Sequence, residues 1–285
     1  MTTAILQYAS TRSFSVFRTL ATPLLLSLSV GFGASAQGLA QDCADIKAAN
    51  PAATDGTYVI APGGNPFFVH CHDMAGTPRE YLTLANTGGG FNYSLWGAEV
   101  LALPTGNVVT HYTRIRIDPA TLLVNTGDQT FSASVGFDCC IGPTPIVSMP
   151  YAHAASCAGT IDDGNANVDL TGLPFVVDDT FTVRGFTPTG SANGTLLPFD
   201  GAATAIQSQV VNLTGGGFCG GIGPSINGGS PIAVVGFELQ LAYAGNPGIG
   251  KETCKSRGWQ SFGVFKNQGD CVSFFASRGR NGPAR

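Results

Sequence analysis

The sequence predicts a mainly β fold, a β-rich α+β chain with a short N-terminal helix followed by antiparallel sheets and stapled by disulfides. Three observations predict it. Glycine and proline are abundant, at 39 and 17 of 285 residues, and these residues punctuate a chain into turns. Charged residues make up only 11%, less than half the usual ~25%, which leaves few helix-favouring side chains and favours collapse over solvated disorder. Short segments with alternating polarity, bounded by turn formers, recur along the chain. One long apolar run stands at the N-terminus, so the pattern excludes a polytopic membrane protein.

The elements follow in order. Asp42 to Asn50 reads as a short helix, with Asp42 as N-cap and Pro51 after its end. Thr57–Ala61 and Phe67–Cys71 read as strands joined by a Pro62-Gly63-Gly64-Asn65 turn. Glu80–Leu84 and Tyr112–Asp118 alternate; in the second, Ile115 and Ile117 face one way, Arg114 and Arg116 the other. Gln129–Val135, Thr180–Arg184, Ser208–Leu213 and Val235–Leu241 continue the pattern, the last with Val235, Phe237, Leu239 and Leu241 on one face. No 20–50-residue repeat is visible.

Residues 1–36 carry Arg12 and Arg18, no acidic residue, an apolar run from Leu20 to Phe32, and Ala34-Ser35-Ala36. These are the three parts of a secretory signal. The apolar run is shorter than the ~20 residues of a membrane span. Cleavage is expected near Ala36-Gln37, giving a secreted, extracellular or periplasmic chain without a transmembrane anchor. Export allows disulfides to persist. All eight cysteines (Cys43, Cys71, Cys139, Cys140, Cys157, Cys219, Cys254 and Cys271) lie beyond the signal. Four bridges are therefore expected, since no C-x-x-C pair or finger-like Cys/His spacing is present.

Charge divides the mature chain. Residues 37–250 hold five basic residues against sixteen acidic ones, whereas 251–285 hold seven against two. The Gly/Pro-rich stretch 246–250 reads as a linker. The expected organisation is a body over 37–245 and a small Cys-bridged basic segment over 251–285. That segment reads as a hairpin closed by one bridge, with Trp259, Phe262 and Phe265 needing cover. Its charge would draw it to an anionic polymer.

The body opens with Cys43 in a short acidic helix, then Asp55-Gly56-x-Tyr58, Phe67-x-Val69-x-Cys71, Met74, and Pro78-x-Glu80-Tyr81-Leu82-x-Leu84. This opening resembles the GON domain, a module found at the C-terminus of some secreted animal disintegrin-like metalloproteases with thrombospondin repeats and in bacterial secreted proteins. Phe91-Asn92-Tyr93-Ser94, Arg114-Ile115-Arg116-Ile117-Asp118 with Asp128 and Phe131, Pro150-Tyr151-Ala152 up to Cys157, and Cys219-Gly220-Gly221 extend the likeness over about 42–245. The opening is also similar to the start of fibrinogen-like domains, which implies a Cys43–Cys71 bridge. Cys254–Cys271 is taken as the tail's bridge. Cys139, Cys140, Cys157 and Cys219 allow three connectivities, of which one contains Cys157–Cys219. The tail, with Gly258-Trp259 and Phe265 to Cys271, resembles a short C-terminal segment of bacterial exported proteins.

Chemistry-bearing motifs are few. The protease relatives carry zinc in a separate H-E-x-x-H domain, and that motif is absent. His70 and His72, alternate on one strand, are the best metal candidates, with His111, His153 or a carboxylate needed to complete a zinc site. Asp163, Asn165, Asn167 and Asp169 place oxygen ligands at alternate positions, as calcium loops do, or form an Asn/Asp turn. Val168 and Pro174 exclude an EF-hand. Gly215-x-Gly217-x-x-Gly220 matches a dinucleotide fingerprint by letter, but no helix follows; a Cys-anchored glycine loop is expected there. Asp162-Asp163 and Asp178-Asp179 are poor acid/base pairs, because neighbours on a strand face opposite ways. No G-x-S-x-G elbow or P-loop occurs.

The expected function is that of a secreted, non-enzymatic binding protein with no cofactor, holding an extracellular protein or polysaccharide rather than nucleic acid. The alternative is a zinc-dependent metallopeptidase or other metal-dependent hydrolase, implied by the family's association with zinc proteases.

Overall fold

The computed structural model describes residues 38–97, 106–138, 145–157, 164–197, 204–225, 238–245, 249–262, 265–277 and 281. The expected signal segment 1–36, Cys139, Cys140, Asp162, Asp163, Val235, Phe237 and positions 246–248 of the linker lie outside these. Among the described residues no helix is long and apolar enough to cross a membrane.

Helix α1 (Cys43–Ala49) forms where the sequence asks for it. Asp42 is extended and its carboxylate accepts from the Asp45 N–H, satisfying one of the helix's first free donors. Cys43 and Ile46 turn into the core. The strands are β1 (Gly56–Ile60), β2 (Phe67–His72), β3 (Arg79–Thr83), β4 (Tyr93–Gly97), β5 (Val108–Tyr112), β6 (Arg114–Asp118), β7 (Leu123–Asn125), β8 (Ser132–Val135), β9 (Ala154–Ser156), β10 (Gly164–Asp169), β11 (Phe175–Ala192), β12 (Thr195–Leu196), β13 (Thr204–Ser208), β14 (Val210–Pro224) and β15 (Glu238–Tyr243). Among the described residues the strand pairings are antiparallel except β4 with β9. The mainly β expectation holds.

The strand order runs β1-β2-β3-β6-β7-β15-β11-β14-β10-β4-β5-β8. Strands β2 and β11 are five steps apart, roughly 24 Å in a flat sheet at ~4.8 Å per step. Yet the rings of Phe67 on β2 and Phe175 on β11 meet edge to face at 4.9 Å. The sheet therefore doubles back on itself. The main apolar core joins Ile46, Phe67, Leu82 and Ile117 to Phe175, Val183, Leu213 and Leu241, with a smaller cluster around Trp96 and Val108. Cys43–Cys71 ties α1 to β2 through this core.

Several expected segments differ in extent. Tyr112 ends β5 and Arg114 begins β6, because the Thr113 N–H turns aside to the Phe131 carbonyl. Thr180–Arg184 is part of an 18-residue strand, and Gln209 separates β13 from β14. The glycines 215–220 form no loop. They lie inside β14, where added side chains would collide: a Cβ on Gly215 would stand 2.6 Å from the Ala154 carbonyl oxygen, and one on Gly221 2.5 Å from the same atom. Glycine here admits the backbone of 153–155 against the strand. Cys157 pairs with Cys219 beside this crossing.

The tail is helical rather than a hairpin. Two 3-10 turns, Lys251–Cys254 and Gly258–Phe262, precede α2 (Gln268–Ala276), whose N-cap Asn267 accepts from the Asp270 N–H. Cys254–Cys271 closes it. Asn267 with Asp270 three residues on marks the helix start in the sequence. Phe262, Phe265 and the bridge pack on Leu39, Val59 and Ala61 of the body, which supplies the cover these aromatics need.

Candidate functional site

The register defines a surface. His70 pairs with Tyr81 and Tyr81 with Arg116; His72 pairs with Arg79; Thr83 pairs with Arg114. Directly paired residues share a face. Phe68, His70, His72, Arg79, Tyr81, Arg114 and Arg116 thus stand on the outer face of β2-β3-β6, while Val69, Cys71, Leu82, Ile115 and Ile117 fill the core behind. Arg79, Arg114 and Arg116 are three of the five basic residues of the body.

The segment after β7 folds over this face. Tyr81 is fully buried and shares its hydroxyl proton between Asp128 Oδ2 at 3.2 Å and Thr130 Oγ1 at 3.3 Å. Phe131 meets His70, His72 and Tyr81 edge-on, with centroids at 5.5, 5.2 and 4.8 Å. The Arg114 guanidinium lies 4.6 Å from the Phe131 centroid, a cation–π contact. Arg116 is 3.7 Å from Asp128. Arg79 and Arg114 have no carboxylate partner among the described residues. Phe68 is 37% exposed at the edge of the patch, and the basic tail docks beside it over Val59.

The two histidines are held differently. His72 Nδ1 lies 2.8 Å from Asp55 Oδ2, which fixes its ring. The Asp55 carboxyl is held below its usual range, first by the Met74 N–H and then by the Asp73 N–H and His72. The His70 ring stacks 6.3 Å from His72; burial, and next the Arg114 charge, push its pKa down. His111 sits on β5 against Tyr93. His153 is fully buried, its Nδ1 2.8 Å from the Tyr151 carbonyl oxygen. Among the described residues no three His, Cys, Asp or Glu side chains group as metal ligands would.

Of the expected calcium residues, Asn165, Asn167 and Asp169 fall on strand β10 rather than a turn, and Asp163 lies outside the described residues. Asn167 Oδ1 accepts the Asn92 N–H at 3.0 Å, and its amide donates to Asn212 Oδ1 at 2.8 Å. Asp169 accepts from the Asn86 amide and the Thr171 N–H, each at 2.8 Å. They serve a buried hub missed in the sequence. Asn92, with φ of 48°, donates to the Asn86 and Asp169 carbonyls and accepts from Tyr151 Oη and the Asp169 N–H. Asp178 is exposed and Asp179 buried, as their adjacency requires. Burial raises the Asp179 pKa to about 6.

Fold and site together define a disulfide-stapled, mainly β module with a cationic, aromatic sheet face. Its opening belongs to a recognised type: residues 40–107, about a quarter of the chain, match the GON domain. No curated protein and no solved structure matches the chain. The matched segment supplies Asp55, His70, His72, Arg79 and Tyr81 to the face, and the chain beyond it supplies Arg114, Arg116, Asp128 and Phe131.

Proposed function

We propose that the chain is a secreted binding module, with a GON-like body over 37–245 and a basic tail over 251–285, that holds an anionic extracellular polymer on the outer face of β2-β3-β6. The observation that carries this reading is the gathering of Arg79, Arg114 and Arg116 on one face of an otherwise acidic body. Exposed Phe68 adds an apolar surface, and Lys251, Lys255, Arg257 and Lys266 of the docked tail are all exposed. Among the described residues two of the three arginines lack a carboxylate partner, so their charge is available to a ligand. Such a contact steers association and weakens with salt.

The test is binding of the full chain to immobilised heparin and polygalacturonate between 50 and 300 mM salt (salt range chosen to span roughly a twofold change in screening length). Affinity falls with salt, and the triple substitution Arg79→Ala, Arg114→Ala, Arg116→Ala lowers it by roughly tenfold or more, about 1.4 kcal/mol. Unchanged affinity in the triple variant, with its fold intact by circular dichroism, overturns the reading.

A further inference from the structure

A cavity of about 360 Å³ opens at the end of the sheet where β2 begins. It is within the ~300–1,000 Å³ range of small-molecule sites. Four separate segments wall it: Gln41 and Asp42 ahead of α1, the β1–β2 turn, the β6–β7 turn, and Tyr243 at the end of β15. Hydrogen bonds brace each wall to its neighbour. Gln41 Oε1 accepts the Gly63 N–H at 3.2 Å, and Tyr243 Oη donates to the Pro66 carbonyl at 3.0 Å. The Asp118 carboxylate accepts the Ala120 N–H at 2.8 Å, and the Gln240 amide donates to the Thr121 carbonyl at 3.0 Å.

One wall is strained. Leu122 has φ of 60°, a conformation that a bulky side chain adopts only when its surroundings over-determine it. Its N–H donates to the Asp118 carbonyl at 2.8 Å and its carbonyl accepts from Leu241 at 3.1 Å. Both bonds hold the residue in place, so the cavity is shaped in advance of any ligand.

The lining chemistry is selective. Tyr243, Leu122 and Pro119 offer an apolar surface. Hydrogen-bonding capacity comes from two side chains. The Asn65 side-chain amide has no partner among the described residues, its backbone N–H being spent on the Pro62 carbonyl, and Asp42 uses one carboxylate oxygen on the Asp45 N–H, leaving Oδ2. The geometry points to a neutral saccharide ring as the occupant of this cavity. The C–H face of a pyranose lies against the apolar wall, and its hydroxyls donate to Asp42 and pair with the Asn65 amide. Among the described residues Asp42 is the only charged one in the lining, and it repels an anionic ring. A wholly apolar ligand would cover Asp42 and Asn65 without satisfying them, which is unfavourable. This site is separate from the polyanion face in both residues and charge preference.

The experiment uses the full chain and ligand-observed saturation-transfer NMR with maltose, cellobiose, lactose and N,N′-diacetylchitobiose as probes. At least one disaccharide shows transfer. Asp42→Ser keeps an N-cap residue, so α1 persists while the free oxygen is lost, and affinity falls at least tenfold. Ala120→Trp, on the exposed rim, fills the cavity and abolishes the signal. Heparin binding, measured on the same variants, is unchanged, so failure of one reading is distinguishable from failure of the other. Absence of transfer from all four probes, or equal affinity in Ala120→Trp and the parent chain, overturns the assignment.

Discussion

His153 makes the fold acid-sensitive in a calculable way. The imidazole is fully buried, and burial lowers its pKa from 6.5 to about 4. The Tyr151 carbonyl opposes this shift and the nearby Arg184 charge assists it. Gly223 leaves the ring no slack, since a Cβ there would approach it to 2.5 Å. A histidine whose folded pKa lies below its unfolded value contributes stability in full above pH ~6.5, and loses it as pH falls toward 4. The gap corresponds to about 3 kcal/mol. Asp179 titrates in the opposite sense. With its pKa raised to about 6, its stabilising protonated form is lost as pH rises through 6. The parent's pH curve thus mixes two effects, and a variant must isolate one. His153→Asn keeps a donor near Nδ1 toward Tyr151 and removes the titration. Urea unfolding of parent and variant, followed by fluorescence of buried Trp96, is measured at half-unit intervals from pH 7.5 to 4. The parent's advantage over the variant shrinks by about 3 kcal/mol across that range. A pH-independent difference refutes the argument.

Other expectations are equally direct. Removing the Cys43–Cys71 bridge, which closes a 28-residue separation, costs about 3–4 kcal/mol in the chain-entropy model, read as a lowered urea midpoint. Gly215→Ala collides with the Ala154 carbonyl and destabilises by ~1–3 kcal/mol, whereas Gly250→Ala, with nothing within 4 Å of the added Cβ, leaves the thermal midpoint nearly unchanged. Asn92→Ala strips four buried hydrogen bonds and destabilises by roughly 3 kcal/mol or more in the same assay. Phe262→Ala loosens the tail while the body persists, so hydrogen exchange accelerates at Val59 and Ala61 with the main unfolding transition retained.

Local rules were legible and long-range ones were not. The N-cap of α1, the alternation of Arg114 to Asp118 and the turn at Pro62–Asn65 are decided by neighbours within a few positions, and the sequence displays them. The cationic face depends on β3 pairing with both β2 and β6. That register joins Arg79 to His72 and Tyr81 to Arg116, and no local pattern announces it. The glycines of β14 evade local rules for a related reason. A glycine-rich run means a loop when nothing approaches it, and a strand when another backbone must lie against it. Only the position of Ala154 decides between the two. Asn92 stands among ordinary polar neighbours in the sequence, but its left-handed backbone turns the side chain inward, where Tyr151 and Asp169 claim it. The tail's helix is signalled locally by Asn267 and Asp270, whereas a pair of bridging cysteines is compatible with either a hairpin or a helix.

The position of β15 carries a consequence for biogenesis. It is the seam between two half-sheets, pairing with β7 on one side and β11 on the other. Closing the β7–β15 ladder joins segments on the order of a hundred residues apart, a slow, high-contact-order step. Until Tyr243 has left the ribosome, β7 and β11 are raw edges open to pairing with other chains. Nearly the whole polypeptide must therefore be kept from associating before it can fold, and products truncated ahead of β15 are expected to aggregate rather than persist as smaller domains.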